Sequence, residues 1–441
     1  MTTSIVRDRV DVLLPDRSVK EAVSSRPAID PEARRVAASI LRSLAEGGVP
    51  VLEELVSRFG DSPDGPSWRD RDDCRAAVDR LPSEVRQAIE SAGERIRAFA
   101  DAQRACLKPL RMEVPGTGLE VGHDLVPLEV VGCYAPGGRY PLPSSVLMTT
   151  IPAQVAGVER IRVASPRPTD PTLAAAWFGG GDGVLAAGGA QAIGALAGGL
   201  LGPACDLVVG PGNRFTTAAK SLVSSGEVAG FGPIAIDGLA GPSELLVLAD
   251  ETSDAELVAA DLIAQAEHDP DAGVWLATTD PGLPDRVRSA LEGRLDDLTD
   301  PNRDVARTAI VRGGVIRVED EDGLVLVADR LSPEHLEVAT REPERLAGRL
   351  RHAGAIFLGA AAEVFGDYGV GPNHILPTGG SARARGGLSV MDFLRVRTWI
   401  ESDRTSSSAR LAADCVVFAR IEGLEGHVRS AEARSTAMVS P

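Results

Sequence analysis

From Leu125 onward the chain alternates short β-branched runs (Val126 to Val131, Ile161 to Ala164, Leu207 to Val209, Leu245 to Leu248) with alanine-rich helical segments and glycine-rich turns. Strands joined through helices must lie mostly parallel, with helices covering both faces of the sheet, so this rhythm predicts an α/β fold. It continues as a helix from near Ser253 to about His268, a strand from Gly273 to Thr279 and further alternation through Leu324 to Leu358. Before it, Asp30 to Phe59 and Pro82 to Met112 carry helical apolar spacing. After Arg385 the pattern reads as helical again, ending in Ser406 to Ala437, where Leu411, Cys415, Phe418 and Ile421 form one apolar face. A chain of 441 residues is too long for one core, which predicts two or three domains.

Several function classes are disfavoured. A net charge of -17 would repel a phosphate backbone, so nucleic acid is not an expected partner. The five cysteines are scattered without a Cys-x-x-Cys pair, which suits a reducing cytoplasm. Residues 1 to 20 are interrupted by Arg7, Asp8, Arg9 and Asp11 and do not read as a secretory signal. The uncharged stretch Gly183 to Ala204 is rich in glycine and alanine and reads as buried α/β chain, not as a membrane span. Gly181 to Ala186 matches a loose G-x-G-x-x-A. Helical sequence precedes it and strand-like sequence follows, the reverse of a dinucleotide fingerprint.

Ligand-type residues gather around four of the six histidines. Gln265 and His268 stand three apart at a helix end and can face one ion; equally, His268 could serve only as a partner to the helix dipole. Asp367 and His374 lie in a glycine-rich turn, either as ligands or as a turn-forming aspartate and a packed histidine. Ser332-Pro333-Glu334-His335 reads as a helix start with Ser332 as cap. The dipole there would keep Glu334 ionised and His335 neutral, fit to act as a base. Glu422 and His427 are about 140° apart on a straight helix, which implies different roles unless Gly423 or Gly426 distorts it. His123 and His352 have no such company and read as structural.

Longer motifs add to this. Gly132-Cys133-Tyr134-Ala135-Pro136-Gly137-Gly138, Gly188 to Ile193, Gly210-Pro211-Gly212-Asn213 and Ala240 to Glu244 precede Gln265 to Asp271, Pro333 to Leu336, Gly366 to Pro377 and Glu422 to His427. In this set and order the chain resembles the histidinol dehydrogenase family from about Arg95 through Arg434. The resemblance implies an NAD-dependent and zinc-dependent enzyme that oxidises L-histidinol through L-histidinal to L-histidine with two NAD. It assigns Gln265, His268, Asp367 and His427 to the zinc ion, His335 as the base for the alcohol proton, and Glu334 as the group that activates water on the aldehyde. Tyr134, Gln191 and Asn213 would contact NAD. Ser243, His374 and Glu422 would lie near substrate, alongside Gln265, His268, His335, Asp367 and His427. Nitrogen and oxygen ligands with an open position suit a catalytic zinc.

The implied fold has two incomplete Rossmann-like domains with small helical pieces at both termini, exchanged between the subunits of a cytoplasmic homodimer. The expected division is an arm at 1–25, a discontinuous first α/β domain at 26–128 and 238–385, a second Rossmann-like domain at 129–237 and a helical tail at 386–441. Glu422 and His427 would then serve the partner's site. Arg139-Tyr140 departs from the small residues of many family members. It raises a different zinc and NAD dehydrogenase, acting on another small alcohol such as a sulfonated diol. A zinc hydrolase using Glu334 without NAD would leave the Tyr134, Gln191 and Asn213 segments unexplained, and a non-catalytic metal scaffold would leave Glu334-His335 without a purpose.

Overall fold

The computed structural model describes residues 13–24, 30–63, 65–137, 140–402 and 409–437. The chain contributes β1 (Trp68–Asp70), β2 (Leu110–Val114), β3 (Leu119–Pro127), β4 (Val130–Tyr134), β5 (Arg160–Ala164), β6 (Gly183–Leu185), β7 (Leu207–Val209) and β8 (Ala235–Ile236). These are followed by β9 (Glu244–Ala249), β10 (Gly273–Thr278), β11 (Gly314–Arg317), β12 (His335–Ala339), β13 (Ala355–Leu358) and β14 (Leu394–Ser402).

The first sheet runs β1-β6-β5-β4-β7-β8 and is parallel apart from the short antiparallel edge β1. Its strands are apolar on both faces because both are covered. Val131 and Cys133 point into a core with Ile89, Ile96, Leu147 and Ile151, while Val130 and Tyr134 point the other way, against Ala37, Leu41, Ile193 and Leu222. The helices Pro31–Phe59 and Ser83–Cys106 therefore share their core with residues 130–231. The sequence had grouped 26–128 with 238–385. The apolar faces of these helices instead cover the two faces of the first sheet.

The second sheet, β11-β10-β9-β12-β13, is wholly parallel. Leu245 and Val247 pack on one face beneath the helices Ala255–Ala266 and Leu283–Asp297, and Leu246 and Leu248 on the other beneath Glu321–Leu331. Residues 13–24 dock here too, with Leu14 buried and Asp16 bridging to Val315.

The third sheet, β14-β3-β2, is antiparallel and corrects the all-helical reading of 386–441. Leu394, Val396, Thr398 and Ile400 alternate with Arg395, Arg397 and Trp399, a period of two that suits pairing with β3. The single tail helix is likewise a hairpin of Ala409–Ile421 and Glu425–Ala437, broken at Gly423, whose φ of 71° favours glycine. The uncharged stretch from Gly183 forms β6 and the helix Gly189–Ala197, and among the described residues no helix is long and apolar enough to cross a membrane.

Candidate active site

Ser243 leads into β9 and Glu334 into β12, and these two strands lie side by side at the centre of the second sheet, with His335 paired to Leu245. The site thus sits at the amino ends of this sheet's strands. Glu334 Oε2 accepts from Ser243 Oγ at 2.6 Å and from the Glu244 N–H at 2.9 Å. His335 Nδ1 lies 3.2 Å from the Glu244 carbonyl oxygen, to which it can only donate, so its proton sits on Nδ1. Its Nε2 is buried with no hydrogen-bond partner among the described residues, and the ring lines a cavity of about 270 Å³ with Phe357, Gly366, Asn373 and His374. Burial holds the imidazole below the usual histidine range, which leaves Nε2 as a free base.

The expected helix start at Ser332 is not formed. Ser332 closes the helix Glu321–Leu331 in a left-handed conformation, φ 46°, and the chain passes straight into β12. Pro333 disfavours a helical residue before it, and the gap between β9 and β13 takes residues 335–339 as a buried strand. No helix amino end therefore starts at Glu334. Burial pushes its carboxyl up to about 7, against the hydrogen bonds from Ser243 and Glu244 that lower it, so the ionised form expected from the dipole does not prevail. The neutrality of His335 stands, with burial as its cause.

Gln265 and His268 leave the end of the helix Ala255–Ala266, and Asp367 ends the short helix Glu363–Asp367. His268 Nε2 is 3.9 Å from Asp367 Oδ2. His374 Nδ1 donates to the Asp367 carbonyl oxygen at 2.9 Å, and its Nε2 lies 3.3 Å from Ser145 Oγ. Gln265 is buried, with its amide nitrogen unpartnered. Glu422 and His427 stay exposed on the tail hairpin. Among the described residues no three His, Cys, Asp or Glu side chains gather as a metal cage would. One chain thus brings His268 and Asp367 together with an orphaned amide nearby, a borderline nitrogen and oxygen donor set suited to zinc but incomplete.

Tyr134, Gln191 and Asn213 stand at the carboxyl ends of the first sheet. The chain steps from β4 to β5 and β6 on one side and returns to β7 on the other, the kind of reversal in strand order beside which open α/β sheets generally hold ligands. Tyr134 ends β4, and its hydroxyl accepts from the Gly189 N–H at 3.1 Å. Gln191 Nε2 donates to Asp61 Oδ2 at 2.9 Å. Asn213 follows β7 and caps the helix Arg214–Ser225 by accepting from the Phe215 and Thr216 N–H groups. The Gly181 to Ala186 segment runs from the end of one helix into β6, so it opens no helix. Arg139 lies outside the described residues, while the Tyr140 hydroxyl reaches Asn302 Oδ1 at 3.4 Å.

Comparison with known proteins decides the family. A family model described as histidinol dehydrogenase matches residues 24–435. The chain belongs to the histidinol dehydrogenase family. It is 42% identical over 418 residues to a histidinol dehydrogenase of Thermus thermophilus, covering 92% of this chain and 96% of that protein. With one from Halobacterium salinarum the identity is 43% over 429 residues, covering 96% and 97%. The crystal structure of histidinol dehydrogenase from Elizabethkingia anophelis superposes with a TM-score of 0.88 at 30% identity, over 97% of this chain and 99% of that one. As a member of this family, the chain is an NAD-dependent oxidoreductase of histidine biosynthesis acting on a small amino alcohol.

Two side chains of this site were not singled out in the sequence. Glu363 is 2% exposed, with neither carboxyl oxygen hydrogen-bonded and Oε2 3.9 Å from His335 Nδ1. Burial, then Asp367, raises its carboxyl well above the usual range. Its position four residues before Asp367 on a helical turn was the available signal. Asp61, which no sequence motif marked, holds both Gln191 and the Gly188 N–H.

The raised Glu334 carboxyl fixes the sign of a stability test. Its folded value of about 7 exceeds the ordinary glutamate value of about 4.5, so the stability that comes with its proton is complete below about 4.5 and lost as pH rises through 7. In chelator-treated protein, Glu334→Gln should be more stable than the parent at pH 8 to 9, by on the order of 3 kcal/mol, with the gap closing toward pH 5. Thermal unfolding across that range measures it. A gap that widens on acidification would reverse the assignment.

Proposed function

We propose that this chain oxidises L-histidinol to L-histidinal and then to L-histidine within one site, with two NAD consumed. The observation that carries the reading is the buried, neutral His335, whose Nδ1–H is committed to Glu244 and whose Nε2 is free, beside Glu334. His335 Nε2 takes the alcohol proton as the carbinol hydrogen leaves as hydride, which gives the aldehyde, one NADH and one proton. Glu334, when ionised, removes a proton from water as its oxygen adds to the aldehyde. The resulting gem-diol again has a hydrogen on carbon that can leave as hydride, giving the acid, a second NADH and a second proton.

Gln265, His268 and Asp367 of one chain, with His427 of a second copy, would hold a zinc ion that supplies positive charge to orient the amino alcohol and stabilise negative charge on oxygen. Ser243, His374 and Glu422 would surround the substrate, and Tyr134, Gln191 and Asn213 would hold NAD. Exposed Val396, Ile400, Val417, Phe418 and Ile421 support a domain-swapped homodimer, since an apolar set of this size favours burial against another surface. With limiting L-histidinol, two NADH should form for each alcohol consumed, and a chelator should stop both until zinc is restored. A yield of one NADH, or full turnover in metal-free protein, would overturn the corresponding part.

A further inference from the structure

Lys220, on the helix Arg214–Ser225, is 2% exposed, and its ammonium pairs with Asp237 Oδ1. The pair grips one glycine from both sides. Lys220 Nζ donates to the Gly210 carbonyl oxygen at 2.7 Å, and Asp237 Oδ2 accepts from the Gly210 N–H at 2.7 Å. Gly210 has a φ of 119°, and a Cβ there would lie 1.9 Å from the Tyr134 carbonyl oxygen. The backbone leaving β7 is thus pressed against the end of β4, in a conformation that glycine alone takes readily. From it, Pro211 and Gly212 lead to Asn213 and the amino end of the helix that carries Lys220.

Replacing a buried ion pair by apolar groups is often neutral or stabilising, so stability alone is a weak reason for this one. Its geometry offers another. Asp237 lies on the segment that runs from β8 to Ser243, and Thr217 Oγ1 donates to Ala240 O at 2.8 Å on that same segment. One pair therefore fixes the loop at the first sheet's reversal of strand order and joins it to the segment that leads to Ser243.

We propose that Lys220 and Asp237 are positioning residues that aim the backbone of residues 210–213 and the following helix end at the phosphates of the dinucleotide. The proposal rests on the reading above that places NAD beside Tyr134, Gln191 and Asn213. It is tested with Lys220→Met/Asp237→Leu, with the near-isosteric Asp237→Asn, which loses the acceptor for the Gly210 N–H, and with Asn213→Ala. Both clamp variants should raise the KM and Kd for NAD by about tenfold or more, with kcat at saturating NAD within about threefold and the KM for L-histidinol unchanged. The thermal midpoint of the double variant should stay near the parent's, which separates positioning from simple support. If a folded clamp variant binds NAD like the parent while Asn213→Ala does not, the positioning role is wrong and the cofactor site stands. If Asn213→Ala also binds NAD like the parent, the cofactor placement falls and the clamp with it.

Discussion

Exchanging His335 for asparagine should lower NADH formation from L-histidinol in a single turnover by about three orders of magnitude, the scale of a lost general base. Asparagine can still offer an N–H to the Glu244 carbonyl, so the strand entry keeps its anchor, but it has no basic nitrogen in place of Nε2. Glu334→Gln should behave differently. Its amide oxygen can still accept from Ser243 and the Glu244 N–H, so hydride transfer from the alcohol is largely spared. Removal of a proton from water is not, and oxidation starting from L-histidinal should fall far more than oxidation starting from L-histidinol. Equal losses from both starting points would refute the division of labour between these neighbours.

Two inactive variants should restore each other. His268→Ala and His427→Ala each remove a proposed zinc ligand, and the second stands on an exposed hairpin of the tail. If the tail serves the partner's site, a mixed dimer collects both defects in one site and neither in the other. After random subunit exchange, roughly a quarter of the parental specific activity should return. Exchange confirmed by native mass, with no return of activity, would refute the shared site and leave His427 to act within its own chain.

Much of this architecture was legible from local pattern. The run Leu207 to Val209 is β7 residue for residue, and the stretch read as helical from Asp30 to Phe59 is helical from Pro31 to Phe59 apart from a kink at Gly48, φ 61°. These segments carry their own periodicity. The errors fall where two signals competed. Ser332-Pro333-Glu334 has the residues of a helix start, and only the vacancy between β9 and β13 made 335–339 a strand. In β14 the alternation was present but arginine-rich, and its pairing with β3 joins segments too distant in sequence for local pattern to reveal.

The site divides in the same way. Sequence alone marked the candidate side chains, the histidines, their neighbouring carboxylates and the glycine turns, because residue type and short spacing are local properties. Tertiary structure decided the rest. It brought His268 within 3.9 Å of Asp367, set the proposed substrate residues at the amino ends of one sheet and the proposed cofactor residues at the carboxyl ends of the other, and added Glu363 and Asp61. It also determined protonation. Glu334 lost its expected ready ionisation because desolvation depends on everything packed around a carboxyl, which no stretch of neighbouring residues records.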